Sequence, residues 1–105
     1  MKLFTKEIEA KAQEQYPKGN DLESQIVVAK FFNPTGAGTW YLLNQDPEDT
    51  NYCWGICHIF EWEIGSFSKS DLADYKGKFG LGIERDLHFE EVNAKVLWSK
   101  LKSDE

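Results

Sequence analysis

The apolar positions change period along the chain, and each change marks an element. Ile8, Ala12 and Tyr16 recur every four residues behind Thr5. This predicts a first helix over 5–16, with Thr5 as N-cap and Glu7 and Glu9 near the positive end of the dipole. Pro17-Lys18-Gly19-Asn20 stops it. Residues 26–32 are β-branched, aromatic and nearly continuous in apolarity, which predicts a strand. A turn cluster at 33–38 leads to a second strand over 39–44, and the pair reads as an antiparallel hairpin.

After an acidic loop over 45–51, strict alternation predicts a third strand over 52–60. Tyr52, Trp54, Ile56, His58 and Phe60 share one face; Cys53, Gly55, Cys57 and Ile59 share the other. Residues 61–64 keep the alternation, either as a continuation bent at Gly65 or as a fourth strand. Ser68-Lys69-Ser70-Asp71 is a near capping box and opens a short helix to about residue 75. A glycine loop over 76–82 precedes an extended segment at 83–89. Asn93 then caps a last helix carrying Ala94, Leu97, Trp98 and Leu101. The order of elements predicts an α+β fold in one domain, 1–105. It has an antiparallel sheet of about four to five strands and three helices packed mainly on one face.

Composition supports a real core: 41% of residues are hydrophobic and 14% aromatic. Eighteen acidic and twelve basic residues leave a net charge of −6. That balance argues against direct nucleic-acid binding, which needs a basic footprint, and against docking on an anionic membrane. It suits a soluble chain, or an acidic face offered to a basic partner. No apolar stretch approaches the roughly 20 residues of a membrane span, and the N-terminus turns polar too early for a secretory signal. The expected location is cytoplasmic, with Cys53 and Cys57 as reduced thiols.

Candidate chemistry is sparse. On one strand Cys53 and Cys57 would stand roughly 13 Å apart, too far for one metal ion, and His58 would face away; no metal and no cofactor are expected. Adjacency of Cys57 and His58 on a strand argues against a catalytic dyad. Glu61 and Glu63 would lie roughly 7 Å apart on one face, a spacing that also suits a solvent-facing edge. The loop Gly77-Lys78-Phe79-Gly80-Leu81-Gly82 is neither a P-loop nor a dinucleotide fingerprint. With Lys78, Gly80, Gly82 and Arg85, the only arginine, it offers a backbone cradle for an anion. The sharper signal is aromatic: three short helices cannot cover so many rings. Trp40, Trp54 and Trp62 are therefore candidates for an exposed binding surface.

Three segments carry a family resemblance. They are Lys30-Phe31-Phe32-Asn33-Pro34 followed by Thr39-Trp40-Tyr41, the run from Glu63 to Leu72, and Lys78-Phe79-Gly80-Leu81-Gly82-Ile83-Glu84-Arg85-Asp86-Leu87-His88-Phe89. Together they resemble a bacterial domain-of-unknown-function family, the "twenty-nine fifty-eight" family. The resemblance runs from about residue 5 to 101 and implies an accessory protein of plasmids, prophages and conjugative elements. It supplies no activity and no catalytic residues. The expectation is a non-catalytic protein that binds a protein partner, such as a host-defence protein. The alternative is a small-molecule or nucleotide binder using the glycine loop and Arg85.

Overall fold

The computed structural model describes residues 2–105. Helix α1 spans Lys6–Gln15, and its Thr5 cap accepts from the Ile8 amide at 3.1 Å. Seven strands follow: β1 (Ile26–Val27), β2 (Ala29–Phe32), β3 (Thr39–Gln45), β4 (Tyr52–His58), β5 (Trp62–Ser68), β6 (Glu84–Arg85) and β7 (Val92–Asn93). Helix α2 covers Lys69–Asp74 after its Ser68 cap, and α3 covers Ala94–Ser103 after Asn93, which accepts from the amides of Lys95 and Val96.

Five strands form one sheet in the order β5-β4-β3-β2-β6, with every pairing antiparallel. The α+β class and the antiparallel sheet are as the sequence predicts. The continuous run at 26–32 divides in two. Ile26 and Val27 pair with β7 in a separate two-stranded sheet, whereas Ala29 onward joins the main one. Both sides of the break contribute to a core, Val27 on one side and Ala29 and Phe31 on the other, although Ile26 is exposed.

The β4–β5 connection also differs from one of the two readings. The chain reverses over residues 59–61, and β5 is a strand of its own, with His58 opposite Trp62. Gly65 is not a bend but sits mid-strand opposite Gly55. Glu61 lies in the turn and Glu63 in the strand, so the two carboxylates are not successive outward positions of one strand.

Two cores sandwich the sheet. On one face Ile8 and Ala12 of α1 and Leu72 of α2 pack with Phe4, Phe31, Leu42 and Cys53. Phe4 stacks on Phe31 with ring centroids 4.9 Å apart. On the other face Leu97, Trp98 and Leu101 of α3 pack with Tyr41, Leu43 and Ile56. Two of the three helices thus share a face, and α3 closes the opposite one. The alternation of β3 explains this: Trp40 and Leu42 point to one core, Tyr41 and Leu43 to the other, so neither face is left to water. A bulge between Leu42 and Asn44 inserts one extra residue into β3.

Four amide side chains are buried in this apolar setting: Gln15, Gln25, Asn44 and Gln45. Each is satisfied. Gln15 Nε2 donates to the carbonyls of Ile26 (3.0 Å) and Leu43 (2.6 Å), and its Oε1 accepts from the Ile26 amide at 2.8 Å. It ties the end of α1 to both sheets where the 26–32 run divides. Gln45 bonds Gln13, Glu9 and the Thr50 carbonyl.

Candidate functional site

The strand register gathers three connections at one end of the main sheet. Phe32 faces both Thr39 and Glu84, and Thr39 faces His58. The 33–38 turn, the 59–61 turn and the 77–82 glycine loop therefore all leave from that end. Asn33 Nδ2 reaches the Tyr75 hydroxyl at 3.3 Å and links the first of them to the segment after α2. Four strand spacings separate β5 from β6, so the end is roughly 19 Å wide.

Apolar side chains stand out from it. Phe60 is 94% exposed and Phe79 is 93% exposed; Ile59, Tyr75 and Leu81 are exposed as well. Phe79 also holds a left-handed backbone at φ 60°, ψ 19°, alone among the described non-glycine residues. That conformation is uncommon for a bulky residue and is one that functional loops retain. A hollow of about 420 Å³ is lined by Trp40, Ile59, Phe67, Leu72, Tyr75 and Ile83, with Asn33 and Asp71 among its polar lining.

The tryptophans expected at the surface are each half-buried, packed against a core on one side. Trp40 is half-buried against the α1-side core, under the bare Cα of Gly38, whose φ is 132°. Trp62 lies 5.8 Å from the Tyr41 ring and edge-on to His58 at 4.7 Å. Trp54 packs on the α3-side core, and its Nε1 is buried without a hydrogen-bond partner among the described residues. Exposure falls instead on the phenylalanines. A Phe among glycines was the available signal for Phe79, since turns lie outside the core; Phe60 was read as the end of a strand, and only the β4–β5 register places it at a hairpin tip.

The glycine-loop residues do not converge. Gly82 lines a cleft of about 720 Å³ with Lys2, Lys69 and Lys76, whereas Arg85 lines a different one beside α1. Arg85 Nε and Nη2 donate to the Lys2 carbonyl at 3.3 and 3.1 Å. Within the loop, the Gly77 amide bonds Leu81 O, Gly80 bonds Gly77 O and Leu81 bonds Lys78 O, so three of its donors are spent internally. Lys78 and Gly80 stay at the exposed tip.

Cys53 and Cys57 share one face of β4, and His58 turns to the other, against Trp62. Burial pushes both thiols up to about 12, helped at Cys57 by the Glu63 carboxylate. Near pH 8 both are neutral, so in the native protein they should react with a disulfide reagent at least roughly a hundredfold slower than in concentrated guanidinium. Thiol release followed by absorbance checks this. Equal rates would mean that β4 is open to solvent.

The opposite end of the sheet is acidic. The β3–β4 loop carries Asp46, Glu48 and Asp49. It is closed by Asp46 N to Tyr52 O at 3.1 Å and Tyr52 N to Asp49 O at 2.9 Å. No helix among the described residues is long and apolar enough to cross a membrane.

No curated protein and no solved structure matches the chain. A family model described as "Protein of unknown function (DUF2958)" matches residues 3–104. Since that match covers both cores, the loop end and the acidic loop, the chain belongs to this family.

Proposed function

We propose that the protein is a non-catalytic binding protein that docks a partner protein on the apolar loop end of its sheet. In this reading it is an accessory protein of mobile genetic elements, as the family resemblance implies, and a host-defence protein is a suitable partner. One observation carries it: Phe60 and Phe79 stand almost fully in water on two separate connections that the register gathers at one end. Burying an aromatic side chain contributes roughly 1.5–3 kcal/mol, so the two rings together supply about 3–6 kcal/mol to a complex. The net charge of −6 adds steering toward a basic partner. A nucleotide-binding alternative has less support, because Arg85 already bonds the Lys2 carbonyl and half the glycine loop's amides are spent internally.

A photo-crosslinking residue placed at Phe60 or Phe79 in cells should give one discrete adduct that is absent when the same residue replaces Thr50. Phe60→Ser/Phe79→Ser should leave the fold intact and weaken capture of that partner by roughly a hundredfold or more. The same adduct from Thr50, or capture unchanged in the double variant, would remove the reading.

A further inference from the structure

A second surface lies at the other end of the sheet and uses none of the loop-end residues. Tyr16, Tyr52 and Trp54 line a hollow of about 530 Å³, with Asn20 and Asn44 among its polar lining. Two parts of the chain bring the rings together: the turn after α1, and β4 through its first and third residues. Tyr52 is 42% exposed although its neighbours along the strand are covered. Ring faces carry negative electrostatic potential and attract cations.

The rim is acidic. The Tyr16 phenol lies beside the Asp46 carboxylate, which together with burial, Tyr52 and Glu48 pushes its pKa above the usual phenol range. Asp46 Oδ1 accepts from the Glu48 amide at 2.9 Å, and Asp49 Oδ1 from the Asn51 amide at 3.2 Å, so both carboxylates are held by their own turn, which the Asp46 amide joins to the Tyr52 carbonyl. Among the described residues, none of Asp46, Glu48 and Asp49 is ion-paired. Lys18, two residues from Tyr16, is directed to the Ser24 carbonyl at 2.7 Å instead. An acidic turn thus borders an aromatic hollow whose lining holds no cation of the chain's own.

We infer that this hollow receives an arginine side chain of a partner protein, its guanidinium on the Tyr and Trp rings and its charge toward Asp46 and Glu48. Arginine fits better than lysine because its flat, weakly hydrated cation both stacks on rings and forks onto carboxylates.

The test is a titration of the protein with acetyl-arginine methylamide, followed by NMR at Trp54 and Tyr52. Acetyl-citrulline methylamide, of nearly the same shape but neutral, is the control. Arginine should give saturable shifts confined to this hollow, at least tenfold stronger than citrulline. Asp46→Asn keeps the oxygen that holds the turn and removes only the charge. It and Tyr52→Ala should each weaken binding by fivefold or more, with the rest of the spectrum unchanged. Equal response to citrulline, shifts scattered over every acidic residue, or undiminished binding in both variants would overturn the assignment. Phe60→Ser/Phe79→Ser should bind arginine like the wild type, which separates this site from the loop end.

Discussion

Gly55→Ala should destabilise the protein by about 3 kcal/mol or more, which for a domain of this size lowers Tm by roughly 12 °C or more. The cause is one missing carbon. A Cβ built on Gly55 collides with the carbonyl oxygen of Tyr41 on the neighbouring strand. The colliding atom is backbone, fixed by the β3–β4 pairing, so no side-chain rotation relieves it. Gly55 also faces Leu42 next to the bulge, where two strands already approach unevenly. Gly65 supplies the internal control. It is paired directly with Gly55 on β5, yet a Cβ there meets nothing within 4 Å. Gly65→Ala should be neutral, or stabilising by a few tenths of a kcal/mol, through reduced freedom of the unfolded chain. Thermal and denaturant unfolding of the two variants side by side decide it. If both behave alike, the close approach at Tyr41 is not a constraint on the fold.

The contrast between these glycines also marks how far the sequence could be read. Local chemistry was legible: Thr5, Ser68 and Asn93 cap the helices they were expected to cap, and β3 and β4 follow their alternation. Pairing was less so. Gly55 and Gly65 look alike in print, and only the register shows which has a carbonyl against it. The run 26–32 divides because Val27 meets Val92, a partner far away in sequence. Strand membership is a property of pairs, and periodicity within one segment cannot report it. The loop end is a similar case. Phe60 and Phe79 belong to unrelated turns until Phe32 faces Glu84 and His58 faces Trp62. The tryptophans were the natural candidates for exposure because they are large. They are half-buried against the cores for the same reason, since a large ring gains most from leaving water.

The buried amides were the least visible feature, and they give the second large effect. Gln25→Leu should destabilise by about 2–4 kcal/mol despite its apolar surroundings. Gln25 is 1% exposed. Its Nε2 donates to the carbonyls of Gly19 (3.0 Å) and Asp21 (2.9 Å), and its Oε1 accepts from Asn44 Nδ2 at 2.7 Å. Asn44 Nδ2 also reaches the Gly19 carbonyl at 2.9 Å. Two side chains thus fasten the irregular 19–25 segment to the end of β3, where helix or sheet bonding cannot satisfy it. Leucine fills the volume but takes the Nε2 donor from the Asp21 carbonyl and the Oε1 acceptor from Asn44, and unmet buried groups cost more than a typical bond gains. Asn44→Leu should cost a similar amount. Because the two share a bond, the double variant should cost less than the sum of the singles, by about 1 kcal/mol. Strict additivity in denaturant unfolding would show that they act separately. The same segment carries Gly19 and Asn20 into the wall of the aromatic hollow. Loosening it should therefore weaken arginine binding there while leaving contacts at Phe60 and Phe79 untouched. The two surfaces stand at opposite ends of one sheet, and this amide pair supports only one of them.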